Sequence, residues 1–246
     1  MEGLSSAVME SEWVDASPLE AKLDASDCLI VFDFDCTLAA LHMYFALRSP
    51  EGQMALSKNA DAFFTDVFGG EERRARLALH LRRLTSAGAT LAVLSNGVEA
   101  EINQALTSAG LAGFFSAVMG AESQNAAGTA NKPAFLSRLV IYRGTSAPLY
   151  LVFLDDDLSN YPGQGIFDPK SHPPVEGSCW RLDIDAASMP APSESSAPKS
   201  DDSAPAVPRT CLVAWPIIPA DGISEAAMDR LEALLGADGP ELPPGL

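Results

Sequence analysis

Four short, uninterrupted apolar runs constrain the fold of this 246-residue chain more than any other feature. They are Cys28–Phe32, Leu91–Leu94, Leu149–Leu154 and Cys211–Trp215. Runs of this length without polar alternation are typical of strands that are covered on both faces. A weaker run at Phe114–Met119 and a segment at Ser178–Ile184 are further strand candidates.

Segments with helical periodicity separate these runs. Glu71–Ala87 and Glu99–Ala109 begin with acidic residues, repeat apolar side chains at helical spacing and stop at glycine. Pro133–Tyr142 and Ser224–Leu235 complete the predicted helices. Strands that alternate with helices predict a mainly parallel sheet with helices on both faces, a Rossmann-like three-layer α/β/α sandwich. Ligands bind beyond the carboxyl ends of such strands, so the residues that follow the runs are the candidates for chemistry.

The predicted organisation is one α/β core with polar margins. Residues 1–26 read as a polar lead-in, 27–185 as the core, 210–236 as its last strand and helix, and 237–246 as a tail. Residues 186–209 are rich in Ala, Ser and Pro without periodicity, which predicts a disordered loop.

Charge and cysteine usage exclude several classes of protein. A net charge of −17 disfavours nucleic acid and acidic membranes as partners, because both require clustered Lys and Arg. The four cysteines lie far apart and form no CxxC pair, so neither a zinc site nor a disulfide framework is indicated. The N-terminal segment lacks the pattern of a secretory signal, and no apolar run reaches membrane-spanning length, so we expect a cytoplasmic protein.

Carboxylates directly follow two of the apolar runs. Asp33 and Asp35 come after the first run, two residues apart, so an extended chain points them to one face. Asp155, Asp156 and Asp157 come after the third run. If both strands belong to one parallel sheet, these carboxylates meet at one edge and need a cation. Oxygen ligands without His or Cys suit Mg²⁺. The alternative, that the acids only cap turns, explains one such cluster more easily than two.

Two further segments could bind an anion. Ser95 ends the second run, and Asn96 with Glu99 has the spacing of a capping box, which predicts a helix whose free N–H groups face the sheet edge. Lys132 stands beside Pro133 at another predicted helix start, where a cation opposes the helix dipole and a bound anion would explain it.

These motifs, in this order, resemble the haloacid-dehalogenase superfamily over residues 28–161 and the final strand and helix. The resemblance implies that Asp33 is the nucleophile that receives a phosphoryl group and that Asp35 is the general acid and then base. The remaining implied roles are phosphate binding by Thr37, Ser95, Asn96 and Lys132, with Thr37 also orienting the first loop, and Mg²⁺ binding by Asp33, Asp35, Asp155 and Asp156. Asn160 would complete the acidic motif, and Asp157 has no assigned role.

The implied function is a Mg²⁺-dependent phosphomonoester hydrolase that acts through an aspartyl phosphate. An interaction protein that has kept the fold and lost turnover is the alternative that stays open. A receiver domain is disfavoured because Asp-x-Asp follows the first strand, and a true dehalogenase is disfavoured because it lacks an equivalent of Asp35.

The resemblance also bears on the substrate, because caps inserted into this fold select substrates. The segment between Leu38 and Gly70 has room only for a short helical flap, so we expect no large cap domain. The aromatic residues expected to form a partial lid are Tyr44, Phe45, Phe63 and Phe64. An open site favours a bulky phosphorylated substrate, such as a phosphoprotein. His42 lies a few residues after the Asp33-x-Asp35 motif, and it could either contact the substrate or have a structural role.

Overall fold

The computed structural model describes residues 13–18, 22–129, 131–142, 150–161, 180–184, 211–216 and 222–237. The strands in this part of the chain are Trp13–Pro18 (β1), Cys28–Phe32 (β2), Thr90–Leu94 (β3), Ala117–Met119 (β4), Tyr150–Asp155 (β5), Trp180–Ile184 (β6) and Cys211–Pro216 (β7). The α-helices are Met43–Arg48 (α1), Pro50–Lys58 (α2), Ala60–Val67 (α3), Glu71–Ser86 (α4), Glu99–Ser108 (α5), Ala121–Ala126 (α6), Lys132–Tyr142 (α7) and Glu225–Leu234 (α8).

The seven strands form one sheet in the order β1-β6-β7-β5-β2-β3-β4. Pairing from β7 through β4 is parallel, whereas β6 is antiparallel to both β7 and β1. The apolar run of β2 lies at the centre of the five parallel strands, and all five of its residues are buried. The predicted mainly parallel sheet is therefore confirmed.

Helices cover both faces of the sheet. One face packs Ile30 and Phe32 of β2 against α3, α4, α5 and α8. The other face packs Leu29 and Val31 against Phe135 and Leu136 of α7. The alternate burial of neighbouring β2 side chains on opposite faces explains why the run lacks polar residues. The architecture is the expected three-layer α/β/α sandwich.

The N-terminal margin differs from the expectation. Trp13–Pro18 falls within the segment assigned to a polar lead-in, yet it forms β1 and pairs with β6 at the sheet edge. An edge strand needs only one set of backbone partners and tolerates Asp, Ser and Pro, so its sequence resembles a loop. The loop predicted at residues 186–209, and the tail after Ala237, lie outside the described residues.

The segment between the first motif and α4 folds into three short helices, α1 to α3. Phe63 and Phe64 of α3 are buried in the larger core, so they are not part of a lid, whereas Tyr44 and Phe45 of α1 are exposed. The helical spacing of α3 turns both phenylalanines inward, which a list of aromatic residues does not reveal. Within the described residues, no helix combines the length and apolar character needed to cross a bilayer.

Candidate active site

The strand register brings the two acidic motifs together. Phe32 of β2 is paired with Leu154 of β5, so Asp33 and Asp155 follow neighbouring strands at the same level. The backbone N–H of Asp33 donates to the carbonyl of Leu154 over 2.8 Å, which extends the ladder of hydrogen bonds to the carboxyl edge of the sheet. Both aspartates are buried. Their placement is thus fixed by the central pairing of the sheet.

Lys132 joins these two carboxylates. Its Nζ lies 2.6 Å from Oδ1 of Asp33 and 2.7 Å from Oδ2 of Asp155. Lys132 is the first residue of α7, and the side chain of Asn131 accepts a hydrogen bond from the Ala134 N–H (2.9 Å), which caps the helix start. The cation is 98% buried, and its carboxylate partners explain how a lysine is tolerated there.

The Asp155 side chain is held by several further donors. Its Oδ1 accepts hydrogen bonds from the Asn160 side chain (2.9 Å) and the Asp157 N–H (2.8 Å). The Asp155 N–H donates to the hydroxyl of Tyr161, which is buried below it (2.9 Å). The carboxylate of Asp157 accepts from the Ser159 N–H (2.9 Å), so its structural role is to shape this turn.

Burial sets the protonation of this cluster. Desolvation raises the pKa of Asp33 well above its ordinary value, and the nearby Asp155 adds to the rise while Lys132 opposes it. Desolvation likewise raises the pKa of Asp155. Burial lowers the pKa of Lys132, but the two carboxylates outweigh this effect and raise it. One lysine therefore compensates two buried carboxylates incompletely.

A metal ion would complete that compensation. Oxygen atoms of Asp33, Asp155 and Asp156 lie within 4.8 Å of one another, and Asp156 is half-buried. Three carboxylates without a His or Cys ligand suit a hard divalent cation such as Mg²⁺. The carboxylate of Asp35 is not part of this group, so its assignment as a metal ligand stays a prediction.

The Asp35 carboxylate instead faces α1. Its Oδ1 accepts a hydrogen bond from the Met43 N–H (2.7 Å), and its Oδ2 lies 3.4 Å from Nδ1 of His42. Burial raises the pKa of Asp35, although His42 opposes the rise. The two acids of the first motif therefore have different partners. Asp33 contacts the lysine and the acidic cluster, and Asp35 contacts the helix that follows.

The loop after β3 is built differently from the expectation. The capping-box prediction is wrong, because α5 begins at Glu99 after Val98, and the Asn96 side chain does not cap it. The Glu99 N–H donates to the carboxylate of Glu122 (3.1 Å), which satisfies a group expected to be free for phosphate. Gln124 of α6, whose role no sequence pattern indicates, donates to the carbonyl of Ser95 (2.9 Å) and fixes this loop.

The turn Phe34–Leu38 positions the first motif. Cys36 has a φ of 57°, and it is the one non-glycine with positive φ in the described part of the chain. Such a conformation is costly and needs support from its surroundings. Thr37 is buried outside the cleft, and its hydroxyl has no hydrogen-bond partner among the described residues. The structure shows no hydrogen bond between this hydroxyl and a described residue, so both expected roles of Thr37, phosphate binding and orientation of the loop, stay predictions.

Arg73 of α4 supports the same turn and was not identified from the sequence. Its guanidinium donates to the carbonyls of Leu38 and Phe68, each over 2.9 Å. It also reaches the carbonyls of Thr37 and Ile223 at 3.4 and 3.3 Å. Arg73 is one of five arginines in this amphipathic helix, so the sequence gives no signal that distinguishes its role.

The two acidic motifs, Lys132 and the loop after β3 border one cleft with a volume of about 430 Å³. The described residues that line it are Asp33, Asp35, Cys36, His42, Tyr44, Ser95, Asn96, Gly97, Lys132, Asp156, Asp157 and Asn160. Six of the eight residues predicted to bind phosphate or metal or to catalyse therefore share the cleft. The other two are Thr37 and Asp155, and Asp155 contacts Lys132 at the edge of the cleft. The volume leaves room for more than a phosphate group.

Comparisons with known proteins gave fold-level likenesses only. No protein-family model matches the sequence, and no curated protein matches it. Among solved structures, the chain is similar to a dehalogenase (15% identity, TM-score 0.35) over 54% of this chain and 77% of that one. It is similar to the magnesium-bound hydrolase YfnB of the haloacid-dehalogenase type from Bacillus subtilis (17%, 0.35), over 56% and 84% of the two chains. A third is L-2-haloacid dehalogenase from Xanthobacter autotrophicus with chloropropionic acid covalently bound (17%, 0.31), over 54% and 71%.

Likenesses this distant carry no information about the reaction or the substrate. The chain's own geometry is more informative, because the sheet places the first Asp motif, Ser95, Lys132 and the acidic motif at one carboxyl edge in the order that the resemblance requires. The described core is therefore a mainly parallel α/β/α sandwich that carries these four motifs at one edge of its sheet.

Proposed function

We propose that this protein is a Mg²⁺-dependent phosphomonoester hydrolase in which Asp33 is the nucleophile. The observation that carries the proposal is that two neighbouring carboxylates in one cleft have different hydrogen-bond partners. Asp33 is hydrogen-bonded to Lys132 at 2.6 Å beside two further acids, and Asp35 accepts a hydrogen bond from α1. A nucleophile and a proton donor that occupy different surroundings can perform different steps.

The residues suit two successive displacements. In the first, a carboxylate oxygen of Asp33 bonds to phosphorus, the ester P–O bond breaks, and Asp35 gives its proton to the departing oxygen. In the second, water attacks phosphorus while Asp35 accepts its proton, and the bond to Asp33 breaks to release phosphate. Lys132 and Ser95 line the same cleft and would bind the phosphoryl oxygens.

Asp33, Asp155 and Asp156 are the residues that would hold the metal ion. When bound, Mg²⁺ neutralises negative charge on the phosphoryl oxygens and offsets repulsion among the carboxylates. We expect turnover to be lost on chelation and restored by Mg²⁺ but not by Ca²⁺, because Ca²⁺ takes more ligands at longer distances. Full activity after exhaustive chelation would contradict this role.

The substrate of the proposed reaction extends beyond the phosphate. The helices α1 to α3 leave the cleft bordered by exposed residues on the α1 side, and α3 packs into the core instead of closing over it. Binding energy for a selective reaction would then come from a larger surface, as in a phosphoprotein. Weak turnover of small sugar phosphates is the expected result of a substrate screen.

A direct test is to trap the covalent intermediate. The protein is mixed with Mg²⁺ and a reactive phosphoryl donor, p-nitrophenyl phosphate or acetyl phosphate, and then treated with borohydride. Borohydride reduces an acyl phosphate to the alcohol, so Asp33 should appear as homoserine in peptide mass spectra. The Asp33→Asn variant should show no conversion, and Asp66→Asn, which changes an exposed acid of α3, should label normally.

The alternative of an inactive interaction protein gives a different result. Such a protein would release no phosphate from any donor and would show no homoserine at position 33, although it could still bind Mg²⁺. Label at another carboxylate would assign the nucleophile elsewhere and overturn the role of Asp33.

A further inference from the structure

Two aromatic side chains line the cleft on the side of the proposed proton donor. His42 and Tyr44 both border the cleft, and Nδ1 of His42 lies 3.4 Å from Oδ2 of Asp35. Asp35 must face the ester oxygen if it protonates the leaving group. Lys132, Ser95 and the acidic cluster lie around the phosphoryl end. The rings therefore border the space that the leaving group occupies.

The α1 segment that carries these rings is tied directly to Asp35. The Met43 N–H at the first residue of α1 donates to Oδ1 of Asp35 over 2.7 Å. The positions of His42 and Tyr44 relative to the proton donor are thus set by this hydrogen bond together with the contact between His42 and Asp35. A ring on the leaving group would meet them in a fixed register.

Each of the two rings that line the cleft contacts a side chain that does not line it. The guanidinium of Arg48 stacks on the Tyr44 ring at 3.7 Å, and it is held by both carboxylate oxygens of Glu101 in α5 at 3.3 Å. The ring of Phe45 packs against His42 with 4.4 Å between centroids. Tyr44 is 40% exposed, so this support fixes an aromatic side chain that remains open to a ligand.

The charges around the cleft narrow the class of leaving group. Asp156 and Asp157 line the cleft, and among its described lining residues the one lysine is buried and paired with two carboxylates. A second phosphate or carboxylate on the substrate would find no free cation there and would be repelled. A neutral ring can gain from the aromatic faces without that cost.

On this basis, and resting on the proposed function, we infer that the leaving group of the substrate carries a planar, uncharged aromatic ring that stacks on Tyr44 and meets His42 edge-on, since the planes of the two side chains differ by 67°. The ring has two possible chemical sources. It is attached close to the ester oxygen, as in a benzyl or tyrosyl ester, or it is separated from it by a sugar, as in a nucleoside 5′-monophosphate. Both sources present the same π face to the same side chains.

The experiment compares esters that differ in the ring alone. Benzyl phosphate and cyclohexylmethyl phosphate have similar alcohols as leaving groups, but only one has a π face. Adenosine 5′-monophosphate and ribose 5-phosphate share a primary alcohol and differ by the base. We expect kcat/KM to favour the aromatic member of at least one pair by about 3- to 10-fold. The first pair reports a ring near the ester, and the second a ring beyond a sugar.

Variants of Tyr44 assign the preference to stacking. Tyr44→Phe should keep the preference, and Tyr44→Leu, which is apolar but has no π face, should reduce it to less than about 2-fold. Met54→Ala removes another exposed apolar side chain, on α2 and away from the cleft, and should leave the preference unchanged. Thermal unfolding of each variant verifies that it is folded.

Three outcomes would overturn the inference. In the first, neither pair shows a preference in the wild-type protein. In the second, Tyr44→Leu slows both members of a pair equally, which would make Tyr44 a support of α1 alone. In the third, no ester is hydrolysed and no homoserine forms at Asp33, in which case the proposed function fails first and the inference fails with it.

Discussion

The floor and the rim of the cleft are built by different means. The floor, formed by Asp33, Lys132 and Asp155, is buried and held by strand register and several hydrogen bonds. The rim, formed by His42 and Tyr44 at the start of a six-residue helix, is exposed and held by Asp35, Arg48 and Phe45. The floor cannot change without disturbing the sheet, whereas the rim can change with a few local contacts. The proposed chemistry therefore depends on the fold, and the proposed selectivity depends on a short surface segment.

The largest expected effect comes from the floor. Asp33→Asn should lower turnover at least about a thousand-fold, because a neutral amide cannot act as the anionic nucleophile. Stability should be unchanged or slightly higher, since the substitution removes one buried carboxylate that competes with Asp155 for a single lysine. Steady-state kinetics and thermal unfolding measure the two quantities. Near-normal turnover of the purified variant would refute the nucleophile.

The buried lysine offers a test of stability on the floor. Lys132→Met should destabilise the metal-free protein by about 3–5 kcal/mol, because it leaves two buried carboxylates without their cation. Mg²⁺ should recover part of this loss by binding the same carboxylates, and denaturant unfolding with and without Mg²⁺ measures both effects. A loss below about 1 kcal/mol would show that the floor is less tightly coupled than the contacts indicate.

The pH dependence of the free energy of unfolding is a third property in which the floor should differ from the rim. The folded-state pKa of Asp33 and Asp155 is raised above the ordinary 3.8, so the folded metal-free protein holds these protons more tightly than the unfolded chain. Their contribution is present at low pH and is lost as the pH rises from 3.8 through the raised values. The denaturant concentration at the midpoint of unfolding should therefore fall more steeply with rising pH in the wild type than in Asp33→Asn. Parallel curves would contradict this linkage.

The smallest expected effect comes from the rim. Arg48→Met removes the exposed ion pair with Glu101 and should cost at most about 1 kcal/mol of stability, because solvent screens such pairs. The hydrolysis rate of a phosphate ester without a ring should stay within about 2-fold, since Arg48 does not line the cleft. A loss of stability as large as that of Lys132→Met would remove the distinction between floor and rim.

The sequence predicted the floor better than the rim for a physical reason. Parallel strands bring their carboxyl ends together, so acids after Phe32 and Leu154 had to meet whatever the details of the loops. Lys132 beside Pro133 marked a helix start, and α7 begins there. Each of these inferences needed only the period of a strand or the start of a helix. The main interior of the fold follows from the same signals.

The features that the sequence did not reveal depend on contacts between distant segments. Gln124 and Arg73 support the β3 loop and the first turn through backbone carbonyls, which carry no sequence signal. The Asn96–Glu99 spacing matched a capping box, but Glu122 supplied the missing acceptor from another helix. β1 was overlooked because an edge strand need not be apolar. His42 was ambiguous until its distance from Asp35 was known.

The long separation between Asp33 and Lys132 has a consequence for how the protein folds. Their contact closes 99 residues of chain, and the pairing of β2 with β5 spans a similar length. Closing such a loop lowers the conformational entropy of the chain before the stabilising contacts form. Assembly of the central strands should therefore be slow compared with that of a helical protein. Carboxylates that meet only after this closure offer no metal site in the unfolded chain. Bound Mg²⁺ should then slow unfolding and leave the rate of folding nearly unchanged.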